Sequence, residues 1–213
     1  MRKSRINELT AKLKQALLQP LPGEKAHLEM VPVTRQSESQ QVQKEGIHRL
    51  SAVMVLFYLK NDKPYFVLVK RSVYDGVHSG QISLPGGQVE KSDIDYAATA
   101  LRETHEEIGI DPEKVQIIGR LSAMYIPPSN FDVVPFVGFY PGVPHFKIDP
   151  VEIHQLMEID LETFLNPDCK MEKYILHRTG VRVKVPCFYL NGEVVWGATA
   201  MILNELRILL SGL

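Results

Sequence analysis

The chain has 213 residues, with 24 Lys+Arg against 25 Asp+Glu and a net charge of −1 with histidines neutral. Neither a nucleic-acid partner nor a strongly acidic one is expected from that balance. Hydrophobic residues make up 45% and charged residues 23%, which excludes disorder throughout and fits one large domain or one domain with an appendage. The longest apolar runs, such as Ala52 to Leu59, stop well short of the roughly 18 residues needed to cross a bilayer, so no membrane partner is expected. Cys169 and Cys187 form no CxxC pair and are too few for a stapled secreted scaffold; they read as reduced thiols.

From Met1 to Gln19, the residues Ile6, Leu9, Leu13, Ala16 and Leu17 recur at helical spacing, which predicts a short amphipathic helix. Lys12 and Lys14 interrupt any stretch that could act as a secretory signal, so cytoplasmic residence is expected. This helix can cover the core, pair with a second subunit in a homodimer, or fray; each outcome fits its pattern. Pro20, Pro22 and Gly23 end it, and Thr34 to Gly46, rich in Gln, Ser and Glu, reads as a loop or linker. Residues 1–48 are therefore read as an extension, and 49–213 as the main domain.

Beyond Leu50 the texture changes. Ala52 to Leu59 is β-rich, Asn61-Asp62-Lys63-Pro64 signals a turn, and Tyr65 to Lys70 is β-rich again. A polar stretch, Ser72 to Ser83, leads to Leu84-Pro85-Gly86-Gly87, and a helical pattern then runs from about Asp95 to Ile108, with Gly109 placed to cap it. Val115 to Tyr125 and Val133 to Tyr140 read as strands. Glu158 to Phe164 reads as a short helix stopped by Asn166-Pro167, and Thr199 to Leu210 as a final amphipathic helix. Strands on both sides of a central helix predict an α+β fold, an α/β/α sandwich with a mixed β-sheet between helices.

The chemistry concentrates in Gly86 to Asp93 and Arg102 to Ile110. Glu103, Glu106 and Glu107 stand at i, i+3 and i+4, so a helix carries all three carboxylates on one face. Three like charges there repel, and a hard divalent cation taking oxygen ligands, such as Mg²⁺, is the simplest offset. Arg102, always charged and fork-shaped, can hold a carboxylate in place and screen its neighbours. Glutamates at this spacing are common on solvated helices. The wider pattern Arg-Glu-x-x-Glu-Glu-x-Gly, however, arises by chance only about once in a million starts.

At these residues the sequence resembles the Nudix hydrolase family, whose box runs Gly, five residues, Glu, seven residues, then Arg-Glu-U-x-Glu-Glu-x-Gly-U with U aliphatic. Gly87, Arg102, Glu103, Glu106, Glu107, Gly109 and Ile110 match; Thr104 replaces an aliphatic, Asp93 stands where the first acid belongs, and Gly87 to Arg102 is one residue longer. That extra residue is a feature of the branch that looks like coenzyme A pyrophosphatases. The branch also carries an upstream signature, matched here by Val67 to Ser72, Gly80 and Leu84 to Gly87, with Gly76 at its second arginine and Leu84 at its phenylalanine. Pro127 to Pro135 and Val195 to Thr199 look like further segments of the branch, so the resemblance covers about Leu50 to Leu210.

The resemblance implies hydrolysis of a nucleoside diphosphate linked to another moiety, with Mg²⁺ or Mn²⁺ held by Glu103, Glu106 and Glu107, and with Arg102 joining them as catalytic residues. For CoA, the products would be 3′,5′-ADP and 4′-phosphopantetheine. Arg71 can bind phosphate bidentately, and Gly86 and Gly87 let the main chain approach the site, so these three are read as contacts to a small-molecule nucleotide substrate. Lys70, beside Arg71, could also touch phosphate. One of Glu103, Glu106 and Glu107, or an acid from a later loop, must accept the proton of the attacking water; Asp132 and Glu152 are candidates for that outside acid, and His78 and His105 carry less weight. Two rival readings stand beside this one: a hydrolase for another nucleotide derivative (a dinucleotide, ADP-ribose or a nucleotide sugar), and a Nudix-fold domain that binds a nucleotide without cleaving it.

Overall fold

In a computed structural model of the chain, residues 2–32, 48–72, 80–176 and 180–213 are described, with side chains from residue 8 onward. The linker read at Thr34 to Gly46, together with Gly76 and His78, lies outside the described residues.

The central strand, β1 (Arg49–Lys60), forms a hairpin with β2 (Lys63–Arg71). Asn61 and Asp62 take φ of 51° and 62°, the left-handed pair that a two-residue turn needs to match the strand twist. Only Phe57 to Lys60 of β1 pair with β2, after which the two strands diverge. Into that fork steps β4 (Gly86–Gln88), antiparallel to Ser51–Val53 of β1. On its outer side β2 pairs with β8 (Ile153–Asp160), while β3 (Ile82–Ser83) takes the side facing the fork, against Val69 and Lys70. The other side of β1 takes β7 (Phe131–Phe139) in parallel, and β7 in turn takes β5 (Gln116–Arg120) and β6 (Met124–Ile126) antiparallel. This is the expected mixed sheet.

Helices cover both of its faces. Ala52, Met54, Leu56 and Tyr58 of β1 pack with Ala100 and Ile108 of α3 (Tyr96–Ile108). Val55 and Phe57 face the opposite core, which holds Ala200, Leu203 and Leu206 of α5 (Gly197–Ser211). A strand buried on both faces reads as a near-continuous apolar run, which is why β1 is so plain in the sequence.

Three differences from expectation stand out. Glu158 to Asp160 belong to β8, and only Leu161–Leu165 form a helix, α4. The run from Val115 to Tyr125 is two strands, β5 and β6, parted at Leu121 to Ala123. A second antiparallel sheet, β9 (Lys170–Leu176), β10 (Arg182–Leu190) and β11 (Glu193–Val195), had no counterpart in the sequence reading. It adds Phe188, Leu190 and Val195 to the α5 side of the core. There Phe66, Phe164 and Phe188 meet edge to face at centroid separations of 5.1 and 5.3 Å, pairs worth about 0.5–1.5 kcal/mol each beyond the area they bury.

The N-terminal helix, α1 (Arg2–Ala16), covers the core: Leu13 is buried against the α5 side. A further short helix, α2 (Glu24–Leu28), leads to Met30, which is wholly buried in the same cluster. His27 meets Glu205 of α5 at 3.0 Å, both side chains nearly or fully enclosed. The Glu205 carboxylate also accepts from the Gly23 N–H (3.1 Å) and from the Ser122 backbone and hydroxyl. Cys169 and Cys187 are free and buried. Among the described residues, no helix is long and apolar enough to cross a membrane.

Candidate active site

Helix α3 is fixed at both ends by local chemistry. Asp95 caps its start by accepting from the Ala98 N–H at 2.8 Å, and Gly109, at φ 73°, closes its end by donating to the His105 carbonyl at 2.8 Å. The helix lies over the fork where β4 meets β1, so its third and fourth turns face Gly86 and Gly87.

Arg102 organises the exposed side of the cluster. Its Nε and Nη2 donate to the two carboxylate oxygens of Asp93 at 2.9 and 3.0 Å. Nη1 donates to Glu103 Oε1 and Glu106 Oε2, both at 2.9 Å, and Nη2 also reaches the Gln88 carbonyl at 3.0 Å. Asp93 is enclosed, with 4% of its side chain exposed. It further accepts from the Thr99 hydroxyl (2.8 Å) and the Glu90 N–H (2.9 Å). The Arg102 guanidinium, chiefly, holds the Asp93 carboxyl well below the usual carboxylate range.

Glu107 sits on the buried side, with 1% of its side chain exposed. Arg71 Nη2 donates to its Oε1 at 2.6 Å, and the Gly86 N–H to its Oε2 at 3.1 Å. The same Arg71 nitrogen donates to the Gly86 carbonyl at 2.9 Å. Burial pushes the Glu107 carboxyl up to about 7 against the pull of Arg71 and Gly86, and the nearby charges of Glu103 and Glu152 add to the rise. Glu103 is raised for the same first reason, burial; Arg102 opposes it, and Glu106 and Glu152 reinforce it.

The two glycines do different work. Gly86 takes φ 149°, and a Cβ there would strike the Ala52 carbonyl and Val53. Gly87 has the Glu103 carboxylate laid against its Cα, in the space that a Cβ would fill.

The structure thus brings these residues together as two hydrogen-bonded groups side by side, Arg71 with Gly86 and Glu107, and Arg102 with Glu103 and Glu106, with Gly87 packed against Glu103. Among the described residues, no three metal-ligating side chains already converge on one ion-sized point; arginines hold these carboxylates instead. The donor set nevertheless fits a hard divalent cation: it is all oxygen, it crowds like charges, and burial makes the charged forms of Glu103 and Glu107 costly until a cation arrives.

Of the two outside acids considered from sequence, Glu152 reaches the cluster, 3.7 Å from Arg71 Nη1, with 55% of its side chain exposed. Asp132 is hydrogen-bonded to His48 at 2.9 Å. Lys70 turns away to pair with Glu193 at 2.6 Å, and His105 binds the Ile110 carbonyl at 3.0 Å. The sequence reading left Asp93 out of the site residues, although its place at the first acid of the box was the available signal. No sequence pattern marked the backbone of Gln88.

A family model described as the NUDIX domain matches residues 48–170. The Nudix hydrolase NudL of Citrobacter koseri is 33% identical over 172 residues, 79% of this chain and 86% of its own. Its namesake from Enterobacter sp. is 32% identical over 172 residues, 78% of this chain and 85% of its own. Among solved structures, the Nudix hydrolase RenU of M. smegmatis shares the fold at a TM-score of 0.53 and 14% identity, covering 78% of this chain and 88% of that one. Nudix hydrolases generally require divalent metal cations. The chain belongs to the Nudix hydrolase family, enzymes that act on the pyrophosphate bonds of nucleoside diphosphate derivatives.

Proposed function

We propose that the protein is a cytoplasmic, Mg²⁺- or Mn²⁺-dependent pyrophosphohydrolase of coenzyme A or a CoA derivative, releasing 3′,5′-ADP and 4′-phosphopantetheine. One observation carries this reading. Arg71, from the upstream signature of the CoA branch, is hydrogen-bonded both to Gly86 of the glycine turn and to Glu107 of the box. Signature and box therefore act as one unit.

Glu103, Glu106 and Glu107 would hold the metal, which supplies charge neutralisation on the diphosphate and a more acidic bound water. Arg71 fixes Glu107, while Arg102 holds Glu103 and Glu106 facing the same cleft. Glu152, largely exposed beside Arg71, is the base that takes the proton from the attacking water. The Gly86–Gly87 main chain stays close to the site because neither residue carries a side chain.

A second reading, hydrolysis of another nucleotide derivative, is favoured by Gly76 at the position of the branch's second arginine. Phosphorus NMR of CoA, ADP-ribose and a dinucleotide, each incubated with protein and Mg²⁺ or Mn²⁺, separates the two. Selective release of 3′,5′-ADP from CoA is expected, with Glu106→Gln folded and nearly inactive. Cleavage of the others in preference to CoA establishes the second reading, and no metal-dependent cleavage at all refutes both.

A further inference from the structure

On the sheet face that carries the acid cluster, cover by α3 ends abruptly. Ala52 is 0% exposed, while Leu50, two residues earlier on the same face of β1, is 41% exposed. Across the strand pair, Val134 is buried but the side chain of Asp132 is 39% exposed. Leu50 is the register partner of Asp132, and Tyr125 of β6 is the partner of Asp132 on its other side. An open strip of floor therefore leads from Gly87, the register partner of Ala52, past Leu50 to Asp132 and Tyr125. Strand spacing places Asp132 roughly 12 Å and Tyr125 roughly 16 Å from Gly87.

The far end of that strip has the chemistry of a base-binding site. The His48 ring stacks on Tyr125 with centroids 4.4 Å apart and planes 17° from parallel. Asp132 Oδ2 fixes the His48 ring through Nδ1 at 2.9 Å, and the Tyr125 hydroxyl is tied to Asn130 Oδ1 at 2.9 Å. Two rings are thus held rigidly in a flat stack beside a half-open carboxylate. Among the described residues, nothing donates to Asp132 Oδ1, which leaves an acceptor at the edge of the stack.

We propose that the His48–Tyr125 stack and Asp132 form the nucleoside subsite, taking a base with an exocyclic amino group, adenine before uracil. Planar bases stack on aromatic side chains whatever their sequence, so the rings supply affinity. The carboxylate supplies choice: an exocyclic amine donates to Oδ1, whereas the carbonyls flanking the uracil N–H face it with like partial charge. The separation from Gly87 leaves room for a ribose between the diphosphate at the acid cluster and the base at the stack. This inference rests on reading the acid cluster as the diphosphate end of the site.

The test is binding of AMP and UMP, neither of which has a diphosphate to cleave, to the full chain by saturation-transfer NMR and calorimetry without metal. The intact protein should bind AMP about tenfold more tightly than UMP. Asp132→Asn should erase that preference, and Tyr125→Leu or His48→Ala should weaken both by about tenfold, the scale of one lost stacking contact. Thermal melting identifies any variant that has failed to fold, and the nearly isosteric Asp132→Asn keeps the test decisive in that event. Equal binding of AMP and UMP to the intact protein, unchanged binding by Asp132→Asn and Tyr125→Leu, or no binding of AMP overturns the assignment. Loss of hydrolysis of every diphosphate, with the AMP preference intact, would instead strike at the hydrolase reading and leave the subsite standing.

Discussion

Replacing Asp93 by Asn removes one charge from a carboxylate that accepts four hydrogen bonds: two from Arg102, one from the Thr99 hydroxyl and one from the Glu90 N–H. Asn offers a single acceptor oxygen, so its amide N–H group must face a donor in an enclosed place. Each hydrogen bond to a charged group contributes about 1.5–3 kcal/mol, and relaxation recovers part of what is lost, so global stability should fall by about 2 kcal/mol. The larger effect is on the site. Arg102 loses the partner that orients its fork, and with it the fixed positions of Glu103 and Glu106. Outer partners of metal ligands typically matter by 10–100-fold, so Mg²⁺ affinity and kcat should drop by about that factor, equivalent to roughly 1.4–2.7 kcal/mol. The assay is hydrolysis against Mg²⁺ concentration, with Mn²⁺ binding by electron paramagnetic resonance and urea unfolding as the stability control. Wild-type metal affinity and turnover in a folded Asp93→Asn protein would show that Arg102 needs no such anchor.

Gly87→Ala places a methyl group where the Glu103 carboxylate lies, and that carboxylate is the end of a flexible side chain. Stability should change by under about 1 kcal/mol while activity falls at least about tenfold; unfolding midpoints and kcat measured together check this. Gly86→Ala strikes backbone instead, at a φ that L residues avoid, and should lower the urea midpoint markedly. Glu205→Ala strips the Gly23 N–H, Ser122 and His27 of a shared buried acceptor and should cost about 3 kcal/mol by chemical denaturation. Burial alone would raise the Glu205 carboxyl, but hydrogen bonds from His27 and Ser122 outweigh it and hold the group below its ordinary value. Its contribution is therefore complete above the ordinary glutamate pKa of about 4.3 and is lost as pH falls below it. Urea midpoints followed through that range should fall in the intact protein and stay flatter in Glu205→Ala.

Much of the fold was legible wherever local chemistry decides structure. The β1–β2 hairpin announced itself by an apolar run, Asn61-Asp62 and a second run; α3 announced itself by its period and by Gly109. The second sheet was missed although Asn191-Gly192, at φ 50° and 87°, is a strong hairpin signal between Leu190 and Glu193. Pro186 in the middle of β10 and charged residues along β9 blurred the alternation on either side. The break between β5 and β6 had a cause no local pattern records: Ser122 turns there to donate to Glu205, 83 residues away. His27, 178 residues from the same carboxylate, was equally out of reach of spacing arguments. In the site, helical spacing put the three glutamates on one face and the wider Arg-Glu-x-x-Glu-Glu-x-Gly pattern singled them out, but Glu152 could be ranked only once β8 had been laid beside β2 and brought it to Arg71.

The arrangement of the two arginines explains why three carboxylates on one helix face do not disrupt the fold. Arg71 arrives from the end of β2 and meets Glu107 on the enclosed side, where the Gly86 N–H completes the pairing. Arg102 lies on the helix itself and takes Glu103, mostly enclosed against Gly87, and Glu106, on the side open to solvent. An enclosed pair with an additional backbone donor is expensive to break, whereas an exposed pair such as that of Glu106, with 55% of its side chain in solvent, is held weakly. Glu107 is therefore the most firmly held member of the cluster, and Glu106 the one whose arginine contact is most easily exchanged. That division follows from the fork in the sheet: had β1 and β2 stayed paired along their length, β4 could not have entered, and neither Gly86 nor Arg71 would stand within reach of α3.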